Sequence, residues 1–96
     1  MRVRFTRPAQ RDLEKIYSHI SKESSQAASR VVTRLIELAR WIGDHPQKGR
    51  ETDEPNVRVI IVPKLHYLIF YSIVGDEIQI THIRHTARSR PPGWKR

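Results

Sequence analysis

The stretch VRVIIVPKLHYLIFYSIVGDEIQITHIRH, residues 57–85, decides the fold of this 96-residue chain. Turn-forming pairs at 63–64 (Pro-Lys) and 75–76 (Gly-Asp) divide it into three apolar segments. The middle segment, residues 65–74, is rich in aromatic and β-branched side chains, as is typical of a strand covered on both faces. Because turns this short join only antiparallel neighbours, the stretch predicts an antiparallel meander of three strands.

The third segment indicates which side chains share a face of the sheet. Alternation over residues 77–83 places Ile78 and Ile80 on one face, and Thr81 and Ile83 on the other. The earlier part of the chain must cover one face of this sheet, and we expect the opposite face to stay partly open.

Two helices are predicted to supply that cover. Residues 2–5 alternate and predict an edge strand of the same sheet, and Thr6 follows as a candidate N-cap. Apolar side chains recur at helical spacing over residues 9–20 and again over residues 28–42, with Gly43 placed as a C-cap glycine. A short break between two helices predicts an antiparallel hairpin. The predicted fold is therefore α+β, in the order β-α-α-β-β-β, with a helical hairpin packed on a twisted antiparallel sheet.

Length and composition limit the possible classes of protein. The length predicts one domain over residues 1–96, in which residues 47–56 form a polar loop and residues 86–96 a basic C-terminal tail. The chain has no cysteine, which excludes a disulfide framework and a thiolate zinc site. No segment approaches the roughly 20 apolar residues that span a bilayer, and the N-terminus lacks the apolar core of a signal peptide. We therefore expect a cytoplasmic protein without a membrane partner.

The charge of the chain indicates an acidic partner. The formal net charge is +8, and residues 84–96 alone hold five Lys or Arg and no acid. Nucleic acid, an anionic membrane or an acidic protein would suit such a balance. The tail also holds Trp94, which can dock on a partner, stack on a base or lie back on the protein's own surface. A basic nucleic-acid-binding module is therefore one interpretation of the charge alone.

Polar residues near the ends of the meander strands form the candidate site. They are Arg50, Arg58, His66, Arg84, His85 and Arg88. Because adjacent strands run antiparallel, we expect the start of the first meander strand and the end of the third at the same end of the sheet, with Arg58 near His85 and Arg88. Two arginines and a histidine can hold a phosphate and move a proton, the minimum for cleaving RNA through its 2′-hydroxyl. The alternative is a basic rim that binds an acidic protein.

Other kinds of site have less support in the sequence. There is no Gly-rich phosphate loop, no H-E-x-x-H motif and no nucleophile elbow. The five histidines show no metal-ligand spacing supported by a third ligand, so we predict neither a metal site nor a cofactor. A nuclease would need a second titratable group besides the histidine. No tyrosine follows the last strand, which leaves Glu51 or Glu54 for that role.

Several short motifs, taken in order, resemble a known family. They are F-T-x-P-A-x-x-D-L-x-x-I-Y at residues 5–17, A-A-x-R at 27–30, H-P-x-x-G-R at 45–50, N-V-R-V at 56–59, Y-L-I-F-Y at 67–71 and I-x-I-T-H-I-R-H-T-A-R at 78–88. Their order and spacing resemble the toxins of the RelE/ParE superfamily of bacterial type II toxin–antitoxin modules. The resemblance implies a small α+β fold and a cognate antitoxin that wraps and neutralises the toxin. It also implies that operator DNA is bound only through the antitoxin.

The superfamily divides by target. RelE-like members cleave mRNA in the ribosomal A site, whereas ParE-like members poison DNA gyrase. The H-P-x-x-G-R and R-H-x-A-R motifs look ParE-like. The only lysine of the meander, Lys64, lies in a turn, and the tail lacks the tyrosine of RelE-like members. The resemblance thus favours a gyrase inhibitor, which arrests growth and stabilises plasmids, over an enzyme.

Each branch implies its own set of site residues. For a gyrase inhibitor we predict a target-binding set of Arg50, Arg58, Arg84, His85, Arg88, Arg90 and Trp94. The alternative is a RelE-like endoribonuclease with the ribosome and mRNA as partners. Some ribosome-dependent relatives use a histidine, an arginine and a glutamate, which would correspond here to His85, Arg58 and Glu51 as catalytic residues.

Overall fold

The computed structural model describes residues 1–86, and all structural statements below concern these residues. The elements are β1 (Arg2–Phe5), α1 (Arg7–Ser21), α2 (Ser25–Asp44), β2 (Arg50–Glu51), β3 (Arg58–Val62), β4 (Tyr67–Val74) and β5 (Glu77–His85). The strands form one sheet in the order β1-β5-β4-β3-β2. The predicted α+β fold, with a helical hairpin on a sheet, is confirmed. The two-residue strand β2 is an addition, because it lies in the segment predicted to be a loop.

The sheet is mixed rather than antiparallel throughout. The meander β3-β4-β5 and the β2–β3 pair are antiparallel, as predicted, but β1 pairs with β5 in parallel, from Arg2 opposite Glu77 to Phe5 opposite Ile80. The prediction of antiparallel pairing was wrong for β1, because two helices and three strands separate it from β5, and a connection this long allows either direction of pairing. At this pair, hydrogen bonds from Gln79 and Arg4 hold the pKa of the Glu77 carboxyl below its usual value.

Hydroxyl side chains begin both helices, and the first of them also binds the sheet. The Thr6 hydroxyl accepts from the N–H of Ala9 at 3.4 Å and donates to the carbonyl of Ile80 at 2.9 Å. The Ser24 hydroxyl accepts from the N–H of Ala27 at 3.1 Å. The predicted N-cap at Thr6 is confirmed, and it fixes the start of α1 at the point where β1 stops pairing with β5.

The core lies between the helical hairpin and one face of the sheet. Its buried members are Ala9, Ile16, Leu35, Ala39, Ile42, Val62, Tyr67, Ile69, Tyr71, Ile78, Ile80 and Ile83. A second, smaller cluster on the opposite face comprises Val59, Leu68 and Phe70, with Val57 packed against them. Strand β4 therefore buries side chains on both faces, as its apolar sequence predicted.

A β-bulge in β5 changes which side chains face the helices. Phe70 pairs with His82 and Tyr71 pairs with Ile80, so Thr81 is an extra residue in β5. After this bulge the alternation is shifted by one residue, and Ile83 joins Ile78 and Ile80 in the core beneath the helices. The prediction that Ile83 faces away from Ile78 was wrong, since it assumed an uninterrupted strand.

Gly43 has a packing role and is not a C-cap. Helix α2 continues through it to Asp44, and His45 is the C-cap residue. The N-terminal amine of Met1 donates to the Gly43 carbonyl at 2.9 Å, and a Cβ at this position would lie 2.7 Å from both the Met1 carbonyl oxygen and Cγ2 of Val3. The C-cap prediction was therefore wrong, and the glycine is needed where the start of β1 crosses α2.

Candidate functional site

The carboxylate of Asp12 occupies the edge of β5 where β1 no longer pairs. The β1–β5 pairing ends at Ile80, and Oδ2 of Asp12 accepts from the N–H of Ile83 at 2.9 Å. The same oxygen lies 3.2 Å from Nδ1 of His82. A helical side chain thus takes the place of a neighbouring strand and satisfies a backbone donor that would otherwise be unpaired.

Residues on the two sides of the bulged strand line different cavities. On the open face, a cavity of about 360 Å³ is lined by Thr52, Glu54, Val57, Phe70, Thr81, His82 and Arg84. Nη2 of Arg84 lies 3.4 Å from Nδ1 of His82. The Nε of Arg84 is buried and has no hydrogen-bond partner in the described part of the chain. This cavity therefore combines a guanidinium, an imidazole and a carboxylate with an apolar floor.

His85 lies on the helix side of the sheet, because the bulge shifted the alternation. Its ring contacts Tyr67 edge-on with a centroid distance of 5.2 Å, and the ring of His66 is 6.4 Å away. His85 lines a cleft of about 220 Å³ with Asp12, Lys15, Ile16, His19, Tyr67, Ile83 and Arg84. Arg84 borders both this cleft and the open-face cavity.

Arg58 lies at the opposite end of the sheet and binds a loop. Its Nη1 donates to the Gly49 carbonyl at 2.7 Å. The hydroxyl of buried Tyr71 accepts from the Gly49 N–H at 2.8 Å and donates to the Pro46 carbonyl at 2.8 Å. Burial raises the pKa of the Tyr71 phenol, and the Gly49 N–H and the Arg58 charge partly oppose that shift. A Cβ at Gly49 would overlap the Tyr71 ring, so the H-P-x-x-G-R motif encodes this packing.

The strand register separates Arg58 from His85. Strands β3 and β5 are both antiparallel to β4 and therefore run in the same direction. Arg58 pairs with Tyr71, which pairs with Ile80, whereas His85 pairs with Tyr67. The levels of Arg58 and His85 thus differ by about 13 Å along the strands. The prediction that Arg58 approaches His85 was wrong, because two successive chain reversals restore the original direction.

The predicted site residues form two groups. On β2, Arg50 pairs with Val59 and Glu51 pairs with Arg58, so these residues lie at the loop end. The end of β5 brings together Arg84, His85 and His66. Arg88, Arg90 and Trp94 lie outside the described residues.

Sequence reasoning missed Asp12, His82 and Tyr71 as organising residues. Asp12 is the acid of the F-T-x-P-A-x-x-D-L motif, and Tyr71 ends the Y-L-I-F-Y motif, so the motifs held a signal that helical and strand periodicity did not. Over residues 1–86 there is no group of three His, Asp or Glu side chains that could hold a metal ion. No helix within that range is long and apolar enough to cross a membrane.

The fold and its two charged ends define a class: small α+β proteins with a helical hairpin on a five-stranded mixed sheet. Residues 3–90 match the family described as the ParE toxin of the type II toxin–antitoxin system parDE, and the chain belongs to this family. The chain is 30% identical over 90 residues to a putative toxin, Y4kP, of Sinorhizobium fredii, covering 94% of this chain and 93% of Y4kP. It is 32% identical over 77 residues to toxin RelE2 of Caulobacter vibrioides, covering 80% and 85% of the two chains.

Two solved structures share the fold. A chain of the chromosomal ParDE toxin–antitoxin system of P. aeruginosa is similar with a TM-score of 0.80 at 26% identity, over 88% of this chain and 95% of that one. The isolated E. coli RelE toxin is similar with a TM-score of 0.60 at 14% identity, over 92% and 86% of the two chains. The RelE similarity shows the fold alone. The chain is thus a type II toxin of the RelE/ParE superfamily.

We expect Tyr71→Phe to lower the free energy of unfolding by about 1–3 kcal/mol, because the Gly49 N–H and the Pro46 carbonyl lose their shared partner. Burial raises the pKa of Tyr71 in the folded protein. The stability that the protonated hydroxyl contributes is therefore complete below the pKa of tyrosine in the unfolded chain, and it is lost as pH rises through the pKa in the folded protein. In urea titrations, the difference in free energy of unfolding between the unmodified protein and Tyr71→Phe should therefore become smaller at alkaline pH. Tyr17→Phe, at a tyrosine that is 40% exposed, is the control and should change stability by less than about 0.5 kcal/mol. Equal effects of both substitutions would contradict this role.

Proposed function

We propose that this toxin acts in the cytoplasm by inhibiting DNA gyrase and that a cognate antitoxin neutralises it. Membership of the ParE family supports the target, because ParE-like members poison gyrase. The similarity to a chain of a ParDE system at 26% identity supports it further. Specific recognition of operator DNA belongs, in this proposal, to the antitoxin.

The observation that carries the proposal is the separation of Arg58 and Glu51 from His85. Cleaving RNA through its 2′-hydroxyl needs a base, an acid and a cation around one phosphate. Arg58 and Glu51 lie at the loop end of the sheet, whereas His85 lies level with Tyr67. Arg58 also donates to the Gly49 carbonyl, so its charge stabilises the loop. The catalytic set suggested by the resemblance therefore does not surround one phosphate.

A second candidate function is ribosome-dependent mRNA cleavage by a different set of residues. The open-face cavity brings together Glu54, His82 and Arg84, which offer a carboxylate, an imidazole and a guanidinium. Such a set has the chemistry of an acid, a base and a phosphate-binding cation. We place this function second, because the carboxylate of Asp12 lies 3.2 Å from Nδ1 of His82 and so already pairs with the imidazole that would have to move the proton.

Two assays with toxin freed of its antitoxin distinguish these functions. We expect inhibition of supercoiling by purified gyrase and no cuts in toeprints of mRNA on translating ribosomes. Inhibition should persist in His82→Ala, because His82 is not in the predicted target-binding set and its Nδ1 lies 3.2 Å from the Asp12 carboxylate. His45→Ala is a control, since His45 stacks on Trp41 at the end of α2, with ring centroids 4.4 Å apart. Codon-positioned cuts that disappear in His82→Ala and remain in His45→Ala, with supercoiling unaffected, would replace the gyrase proposal with the nuclease.

We further propose that the antitoxin inserts an amphipathic helix between α2 and β3. A groove of about 570 Å³ there is lined by Arg34, Glu37, Leu38, Trp41 and Ile60. Trp41 is 40% exposed, although tryptophan is usually buried or at an interface. An apolar groove with charged rims suits a helix whose apolar residues recur every three or four positions.

We expect Trp41→Ala to weaken the toxin–antitoxin complex by about 30-fold or more, as truncation of a buried tryptophan anchor does. The toxin alone should stay folded with a lowered melting temperature, because Trp41 lies outside the buried core but stacks on His45. Titration calorimetry with the cognate antitoxin measures the affinity. Tyr17→Ala is the matched control, because Tyr17 is equally exposed but lies on α1. Unchanged affinity in Trp41→Ala would show that the antitoxin binds elsewhere.

A further inference from the structure

A row of cations runs along the outer face of α1 and has no role in the sites described above. Arg7, Arg11 and Lys15 are spaced four residues apart and are all exposed. Residues four apart on an α-helix differ by about 40° in direction and about 6 Å in height, so these three form a row about 12 Å long. Lys22, the exposed C-cap residue, is seven residues beyond Lys15 and points to nearly the same side.

These charges are not neutralised by acids of the described chain. The ion pairs of Arg4 with Glu77, Arg34 with Glu37 and Asp12 with His82 do not involve the row, and no cation of the row pairs with an acid within residues 1–86. Glu14 is the one acid on the outer side of α1, because Asp12 binds the edge of β5. Like charges at i and i+4 destabilise a helix. The row therefore opposes helix stability without a compensating contact, which is typical of a functional surface.

The row continues into a concave site. Lys15 also lines the cleft of about 220 Å³ that contains His19, Arg84 and His85. Arg84 adds a guanidinium from the free edge of β5, so the positive surface extends from the helix onto the sheet. The cleft holds Asp12 as its one acid, and that carboxylate accepts a hydrogen bond from the Ile83 N–H.

We propose that this surface, formed by Arg7, Arg11, Lys15, Lys22 and the adjoining cleft, binds the phosphate backbone of duplex DNA. Duplex DNA presents one negative charge per about 1.7 Å, so a row of cations about 12 Å long faces several phosphates. The row has no Phe, Tyr or Trp ring on which the bases of single-stranded nucleic acid could stack, and in the cleft Tyr67 is buried with its ring against His85. It also lacks the apolar anchors of a protein interface, since exposed Trp41 lies on α2 and exposed Tyr17 lies about 80° or more around α1 from each cation of the row.

This contact is independent of sequence and does not rest on the proposed function. Phosphate contacts position a protein on DNA, whereas base contacts specify the site. Operator recognition can therefore stay with the antitoxin while the toxin adds affinity through the backbone. The proposal departs from the expectation that DNA is reached only through the antitoxin.

The test compares two triple variants of the full chain with equal charge. Arg7→Gln, Arg11→Gln and Lys15→Gln remove the row, and Arg30→Gln, Arg34→Gln and Arg40→Gln remove three exposed arginines of α2. Each variant loses three positive charges, so its formal net charge falls from +8 to +5. The residues of the basic tail are the same in all three proteins, so any contribution of the tail cancels in the comparison.

Fluorescence anisotropy with a labelled mixed-sequence duplex, at several salt concentrations, gives the slope of log K against log salt. We expect loss of the row to reduce the magnitude of this slope by about 2 to 3, because each phosphate contact contributes about 0.9. The α2 variant should change the slope by less than about 1. Melting curves check folding. If a triple variant does not fold, Arg11→Gln is compared with Arg40→Gln, at an exposed arginine of α2, and only the first should lower the slope, by about 1.

Equal losses in the two variants would overturn the proposal, because net charge would then explain the binding. An unchanged slope after loss of the row would overturn it as well. The same measurement with single-stranded DNA and with labelled poly-glutamate tests the ligand class. If either shows the same dependence on the row, the duplex assignment is wrong. None of these outcomes depends on whether gyrase or the ribosome is the toxin's target.

Discussion

The hydrogen bond from the Ile83 N–H to the Asp12 carboxylate is the interaction on which the second half of β5 depends. Beyond Ile80 no strand of the described chain pairs with β5 on its β1 side, and the bulge at Thr81 weakens its pairing with β4 at the same point. Asp12, on the first helix, closes that edge. Because this hydrogen bond joins α1 to β5, it fixes both the position of α1 on the sheet and which side chains of β5 face the helices.

The functional surfaces follow from this constraint. With Ile83 held beneath the helices, His82 lines the open-face cavity, and His85 lines the cleft beside α1. Arg84 borders both. The opposite end of the sheet is organised separately by Tyr71 and Arg58, which hold the loop after α2 through Pro46 and Gly49. The two ends of the sheet are therefore organised differently: Tyr71 and Arg58 hold a loop at one end, and charged side chains line two cavities at the other.

Local patterns predicted the elements of the fold but could not predict how they are aligned. Helical periodicity, the Thr6 cap and the Gly75-Asp76 turn placed both helices and the meander correctly. The bulge at Thr81 and the parallel pairing of β1 depend on contacts between distant parts of the chain, so alternation within one segment contained no signal for them. Gly43 was misassigned for the same reason, because its need for a missing side chain comes from Met1 and Val3.

The residues of the candidate site could be predicted from the sequence, but their arrangement in space could not. Arg84, His85 and His66 do lie together at the end of β5. Arg58 was grouped with them by an error in strand direction, and Asp12 was overlooked because a single acid on an amphipathic helix usually faces solvent. The family, in contrast, was recognisable from the order and spacing of short motifs, and residues 3–90 match it.

Native-state hydrogen exchange at the Ile83 amide tests the central claim, that Asp12 holds the free edge of β5. The amide should be protected in the unmodified protein and should exchange at least about tenfold faster in Asp12→Ala, because a buried donor loses its acceptor. Asp12→Asn, which keeps an acceptor oxygen, should retain most of the protection, and the Ile69 amide in the middle of the sheet should stay protected in all three proteins. If Ile83 exchanges equally fast with and without the Asp12 carboxylate, the edge is held by something else, and this account of the fold is wrong.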